Sequence, residues 1–253
     1  MLFMNNNQPT AAILIIGNEI LSGRTQDVNV QFLAKKLSDM GVSLLESRII
    51  QDNEDQIVCS VNELRKKYTY VFTTGGIGPT HDDITSESIA KAFGVNLERN
   101  AKAIDMIKGH YKEKGKVLKD GAFSMAEIPV GAKLIKNSLS GAPGFNIENV
   151  YVFAGVPEIV QSMFYDVEKS FRKGDKFISK SIKVFVGESA IKDILRVLQE
   201  GCDGLQFGSY PFIENGEWYT TMVIRGQNST NVEKAASKLK NKLKKNDIEF
   251  LEV

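Results

Sequence analysis

The sequence predicts an α/β chain: a mostly parallel sheet covered by helices on both faces, followed by a smaller α+β domain of order βαββαβ. Three observations predict it. Short apolar runs such as AAILIIG (11–17) alternate with stretches of helical periodicity through the first two thirds, as expected of strands buried on both faces and joined by right-handed crossovers. The composition turns charged and glycine-bearing at EKSFRKGDKF (168–177), which marks a boundary and divides the chain into 1–172 and 173–253. Beyond it, ENGEW (214–218) supplies hairpin chemistry between two strand-like runs.

The elements follow in order. The first strand is 11–17. Asp27 or Asn29 can cap the next helix, in which Val30, Leu33, Ala34, Leu37 and Met40 recur at helical spacing until Gly41 closes it. A strand at 42–50, a helix at 54–67 with Ile57, Val58, Val61 and Leu64 on one face, and a strand at 68–74 come next. After a glycine-rich loop, helices are expected at 86–93, 100–114 and 120–126, strands in AKLIKN and ENVYVFAG, and a helix from Pro157, where proline is acceptable at the first position. The second domain reads as strand 178–187, helix 188–199, strands 204–212 and 217–226, helix 230–244 and a last strand from Ile248, a split sandwich of the ferredoxin-like kind. The run KLKNKLKK (238–245) is a solvated helix face, with Val232, Ala236, Leu239 and Leu243 on the buried one.

At 253 residues with 42% hydrophobic content, the chain can bury one normal core and a satellite. A net charge of +1 advertises no nucleic-acid or anionic-membrane partner. Cys59 and Cys202 lie far apart in apolar-patterned segments, so buried thiols in a reducing compartment are expected. The opening MLFMNNNQPTAA has no leader pattern, and no run approaches the ~18 apolar residues that span a bilayer. A cytoplasmic protein is the expectation.

The chemistry concentrates in TTGGIGPTHDD (73–83), between a strand and a helix. Ligands of open parallel sheets bind beyond the carboxyl ends of the strands, where glycines let backbone N–H groups approach an anion. Gly75, Gly76 and Gly78 permit that approach, Pro79 stiffens the turn, and the following helix aims its free N–H groups at the loop. Asp82 and Asp83 would repel a bare phosphate; they make sense if a divalent cation bridges carboxylate and phosphate oxygens. The plainer alternative is that Asp83 or Thr85 only caps the helix. Thr73, Thr74 and Thr80 offer hydroxyls to the same ligand, His81 reads as a solvated loop histidine in preference to a base, and His110 as surface. GNEILSGRT (17–25) is a near miss to the phosphate loop, with one residue too many between glycines and arginine in place of lysine, so a P-loop NTPase is rejected. Gly17, Asn18 and Arg24 remain candidate ligand contacts and Glu19 a candidate metal ligand. SGAPGF, with Ser140, Gly141, Ala142, Pro143 and Gly144, and AGVPE, with Gly155 and Pro157, add glycine and proline beside further strand ends, so four loops can line one mouth.

GNEILSGRTQDVN, TTGGIGPTHDDIT, SGAPGF and AGVPE, in this order over residues 11–166, resemble the molybdopterin-binding domain of the MoaB/Mog superfamily, specifically its competence/damage-inducible CinA branch. The resemblance implies a three-layer α/β/α fold and a cleft for a pterin or nucleotide. It implies a metal-assisted pyrophosphate or adenylyl site at the matching aspartates Asp83 and Asp52; with them, the residues themselves offer Glu19 and Asp82 as candidate ligands to one or two divalent ions, Mg²⁺, Mn²⁺ or Co²⁺. It further implies pyrophosphatase action on a nucleoside diphosphate derivative such as ADP-ribose; the alternatives are adenylyl transfer in molybdenum-cofactor biosynthesis, or binding without chemistry. The segment after Phe177 looks like a KH-type domain, although GCDG (201–204) has no basic cluster and reads as a turn. The branch's third domain, which deamidates nicotinamide mononucleotide, has no counterpart here, and no Nudix helix occurs. The implied partner is a small molecule, and a homodimer or homotrimer is expected.

Overall fold

The computed structural model describes residues 8–253, and the opening MLFMNNNQPTAA read from the sequence lies largely outside them. Internal contacts divide the described chain into two compact units, one ending at Gly174 and the other starting at Asp175.

The larger unit is built on a six-stranded sheet of order β2-β1-β3-β8-β7-β6. β1 (Thr10–Ile16), β2 (Ser43–Ile50), β3 (Tyr70–Thr74) and β8 (Val150–Phe153) run parallel, while β7 (Gly144–Ile147) is antiparallel to both β8 and β6 (Lys133–Ile135). β1 shows why its run is apolar on both sides. Ala12, Leu14 and Ile16 join Ile57, Val61 and Leu64 of α3 (Glu54–Lys67), Ile89 of α4 (Thr85–Phe93) and Ile107 of α5 (Ala101–Glu113). Ala11, Ile13 and Ile15 join Leu33 and Leu37 of α2 (Asn29–Asp39) and Val160, Met163 and Phe164 of α6 (Pro157–Val167) on the opposite face. Strand alternation thus feeds two cores from one strand, giving a three-layer α/β/α unit.

Three features depart from the expected pattern. β7 lies in a stretch read as loop, so β6, β7 and β8 form a meander and the sheet is mixed on that side. The turn is carried by Glu148 at a positive φ of 49°, a position where the sequence shows no glycine to announce it. β4 (Leu97–Arg99) and β5 (Glu127–Pro129) make a separate two-stranded pair, and the first loop contains a four-residue helix, α1 (Asn18–Leu21). At three or four residues each, these elements are too short for periodicity to register.

The smaller unit has β9 (Ile178–Val184), α7 (Glu188–Glu200), β10 (Leu205–Glu214), β11 (Glu217–Gly226), α8 (Ser229–Lys245) and β12 (Phe250–Glu252). Its antiparallel sheet has the order β10-β11-β9-β12, and α7 and α8 pack on one face through Ile191, Leu198, Val232, Leu239 and Leu243. The β10–β11 turn places both Asn215 and Gly216 at positive φ, the type I′ geometry that ENG favours. GCDG is a turn between α7 and β10. The thiols are not buried as expected: Cys59 is exposed on α3, 3.7 Å from Glu63 one turn on, and Cys202 is half-buried.

Candidate functional site

Three parallel strands deliver their ends to one place. The Gly75 N–H donates to the Phe153 carbonyl at 3.2 Å, and the Gly17 N–H to Ile50 at 3.1 Å. Gly75 has φ of +102°, and a Cβ there would overlap the Ile16 carbonyl oxygen. A Cβ on Gly155 would come within 3.5 Å of Gly75 Cα. The glycines therefore allow the backbones leaving β1, β3 and β8 to pack against each other with no side chain between them. Gly76, also at positive φ, accepts from the Thr85 N–H at 2.9 Å and lies on the Thr85 hydroxyl, which latches the loop to the start of α4. Thr73 and Thr74 are buried inside the sheet layers, away from the loop surface. The Oγ1 atoms of Thr73 and Thr85 have no hydrogen-bond partner among the described residues.

The two adjacent acids do not cap α4. Its N-cap residue is Ile84, and no side chain accepts there. Instead the Asp83 carboxylate turns back into the loop, accepting from the Thr80 N–H at 2.8 Å and from Thr80 Oγ1 at 2.6 Å. The Asp82 carboxylate lies within bonding distance of the same hydroxyl. Thr80 carries one hydroxyl proton, so two carboxylates compete for a single donor. The hydrogen bond from Thr80, then its own backbone N–H and the nearby His81 charge, hold the Asp82 carboxyl below its ordinary pKa, so it stays ionised. His81, Asp82 and Thr80 are exposed and Pro79 with them; Gly78 is packed against the Asp83 carboxylate.

The first loop supplies a second acidic corner. The Asp52 carboxylate, just after β2, accepts from the Asn18 N–H at 2.9 Å, and the Glu19 carboxylate folds back over Gly17. Arg24 is exposed. Asp27 Oδ1 accepts from the Val30 N–H at 3.0 Å and so does the capping at α2. Asn29, the other capping candidate, is buried and donates from Nδ2 to the Gly155 carbonyl at 2.8 Å. This link from α2 to the loop after β8 was not legible; its only signal is an asparagine one residue inside an amphipathic helix.

The other two loops sit on the same edge of the sheet, because Gly144 starts β7 beside the end of β8. Their roles differ. Gly141, Ala142, Pro143 and Gly144 are buried, and Gly141 packs on the Cβ of His110, which is half-buried and not a surface residue. The Asn137 side chain secures this loop, donating to Ser140 Oγ at 2.5 Å and to the Ala142 carbonyl at 3.1 Å. Gly155 is exposed and Pro157 opens α6.

Among the described residues no three His, Cys, Asp or Glu side chains are grouped to hold a metal ion. Glu19, Asp52, Asp82 and Asp83 therefore form two separate corners and not one cage. Asp82 and Asp83 alone fit a cation in a narrower way: two carboxylates short of one donor proton are the kind of pair that a divalent ion shares with substrate phosphates.

Glycine-walled strand ends on a three-layer α/β/α unit, with acids on two of their loops, stand where open parallel sheets take their ligands. Residues 12–173 match the family described as probable molybdopterin binding domain, and 176–252 match the FAD synthase middle domain. A CinA-like protein of Kosmotoga olearia is 30% identical over 86% of this chain and 54% of its own length, and a protein of Archaeoglobus fulgidus 31% identical over 88% and 93%. The crystal structure of the protein CinA, with unknown function, from Thermoplasma acidophilum superposes with a TM-score of 0.59 at 30% identity, covering 65% of this chain and 99% of that one. The chain belongs to the molybdopterin-binding domain family, in the CinA-like, competence-damage-inducible group. It spans about half the length of that Kosmotoga relative, 54%. The KH-type assignment of the second unit is corrected: its match is to the FAD synthase middle domain, and a short α+β element order does not by itself specify which family a segment belongs to. No helix among the described residues is long and apolar enough to cross a membrane.

Proposed function

We propose that this chain is a metal-dependent pyrophosphatase that hydrolyses a nucleoside diphosphate derivative of the ADP-ribose kind. The observation that carries this reading is the pair Asp82 and Asp83 gathered on one Thr80 hydroxyl at the lip of a glycine loop. A binding site for an anion gains nothing from two ionised carboxylates unless a cation comes with the anion. Bound between these carboxylates and the substrate, a divalent ion would neutralise phosphate charge and lower the pKa of a water.

The chain's own residues do the rest. The Gly75 N–H and the Thr85 N–H are spent on Phe153 and Gly76 and hold the loop's shape; the backbone of Gly76–Gly78 and the next N–H groups of α4, which no side chain caps, are left to meet the diphosphate. Thr80 fixes the two carboxylates in one orientation, and the depressed pKa of Asp82 keeps it an acceptor at neutral pH. Asp52 orders the Gly17–Asn18 turn on the adjacent strand end, and Asn29 holds Gly155 in place on the far side. Water adds to one phosphorus of the diphosphate and the bridging oxygen leaves with the other, so ADP-ribose yields AMP and ribose 5-phosphate.

The test is incubation of the purified protein with ADP-ribose and Mg²⁺, Mn²⁺ or Co²⁺ and separation of the products. AMP appearing only with metal supports the reading. No AMP with any metal, together with tight pterin binding, defeats it in favour of the second reading, a pterin- or nucleotide-binding module that holds its ligand without hydrolysis or transfers an adenylyl group. That reading is favoured by the separation of the four acids into two corners.

A further inference from the structure

A buried hydroxyl that makes no hydrogen bond costs a fold stability, so one that persists beside a ligand loop points to a partner in another state of that loop. Thr85, the first residue of α4, is such a group: it is fully buried, and its Oγ1 has no partner among the described residues. A valine would fill the same space without the unmet donor. Thr73 shares the condition but lies within β3, whereas the Thr85 hydroxyl touches the loop, since a Cβ on Gly76 would collide with it.

The backbone next to that hydroxyl is pinned on both sides and free in the middle. The Gly75 N–H donates to the Phe153 carbonyl at 3.2 Å, and the Gly76 carbonyl accepts from the Thr85 N–H at 2.9 Å. Between these anchors, neither the Gly75 carbonyl nor the Gly76 N–H has a hydrogen-bond partner among the described residues. This peptide group is flanked by two residues without a Cβ, at φ of +102° and +68°. It can therefore rotate by changing only ψ of Gly75 and φ of Gly76, through conformations closed to residues with side chains. Thr85 stands on the buried side of Gly76, which is itself half-buried. The C=O and N–H of a trans peptide point opposite ways, so turning the Gly75 carbonyl in to the Thr85 hydroxyl turns the Gly76 N–H out, toward the mouth.

We propose that Thr85 is a positioning residue: when a phosphate-bearing ligand occupies the loop, the Gly75–Gly76 peptide rotates, the Thr85 hydroxyl donates to the Gly75 carbonyl, and the Gly76 N–H is held outward as a donor to the phosphate. One rotation meets the needs of the hydroxyl, the carbonyl and the N–H together, and it couples affinity to a side chain that the ligand never touches. This rests on the reading that the glycine loop takes a diphosphate, and it holds whether that ligand is then cleaved or only held.

The probe α,β-methylene-ADP with Mg²⁺, whose diphosphate bridge does not hydrolyse, separates binding from cleavage. In titration calorimetry Thr85→Val should bind it ~10-fold more weakly than the parent, and Thr85→Ser, which keeps the hydroxyl, within ~3-fold. Without the probe the order reverses: Thr85→Val should melt ~2–4 °C above the parent, because it deletes an unmet donor. A threonine with a purely structural role would not give opposite signs in the free and liganded chain. For ADP-ribose hydrolysis by Thr85→Val, KM should rise with kcat nearly unchanged. The parent gives a reading free of substitution: on adding the probe, the Gly76 amide resonance should shift strongly and the Gly75 amide, still bonded to Phe153, much less. A fall in Tm for Thr85→Val would mean that the hydroxyl is already satisfied in the free chain, and equal probe affinity for Thr85→Val and the parent would mean that it does not serve the ligand. Either result overturns the proposal and leaves the diphosphate reading standing. A parent chain that neither binds the probe nor cleaves ADP-ribose overturns both.

Discussion

Replacing Asp83 with asparagine removes one negative charge and leaves an oxygen where Thr80 needs one. In the parent protein the Asp83 carboxylate accepts from the Thr80 N–H at 2.8 Å and the Thr80 hydroxyl at 2.6 Å. Both bonds can re-form to the amide oxygen as neutral hydrogen bonds, weaker than charge-assisted ones by about 1 kcal/mol in total at this half-exposed position. Part of that loss is recovered, because the like charge of neighbouring Asp82 no longer faces a second carboxylate. In a unit of this size 1 kcal/mol corresponds to about 2–4 °C in Tm, so the melting temperature should fall by that much or less. Hydrolysis of ADP-ribose should fall by at least ~100-fold, about 2.7 kcal/mol of transition-state stabilisation, since an amide is a poor ligand for a hard cation. The assay pairs kcat/KM from AMP release under saturating metal with differential scanning calorimetry on the same preparation. Turnover near the parent value together with a large fall in Tm would refute the reasoning and leave Asp83 as a clasp that closes the loop.

The other predictions test the frame around that pair. Gly75→Ala puts a Cβ on the Ile16 carbonyl at a φ of +102° and should cost at least ~2 kcal/mol in urea unfolding, whereas Gly23→Ala, with open space at a φ of +72°, should cost about 1 kcal/mol. Asn29→Ala leaves the Gly155 carbonyl without its 2.8 Å donor; a loss of ~1–2 kcal/mol and a several-fold rise in KM for the hydrolysed diphosphate are expected, with kcat less affected. Glu46 is held at a pKa of about 2 by the Tyr68 hydroxyl and then by Arg48 and Lys67. Because its folded value lies below the ordinary 4.5, the stability it adds is present above that pH and is lost as pH falls from about 4.5 toward 2. Discounted for its partial exposure, this amounts to about 1 kcal/mol, and Glu46→Gln should flatten that portion of the pH–stability curve.

The parallel strands, the helices between them and the βαββαβ order were legible because each is long enough to repeat its period, and α3 even kept its bounds at Glu54 and Lys67. What escaped was short or depended on partners distant in sequence. β7 has four residues and turns on Glu148, a residue type that rarely accepts positive φ. The SGAPGF glycines looked like a ligand loop, but Gly141 is needed for the close approach of His110, a contact 31 residues away in sequence that no local pattern encodes. The acids illustrate the same limit more sharply. Side-chain type announces that Glu19, Asp52, Asp82 and Asp83 are carboxylates near strand ends; it cannot announce that a hydroxyl at Thr80 draws two of them together while Asp52 is held by the Asn18 N–H and Glu19 folds over the bare Gly17. A loop motif specifies which groups arrive at the mouth of a sheet. Which of them act as one pair is decided by the few hydrogen-bond donors within reach, and here a single threonine proton selects Asp82 and Asp83.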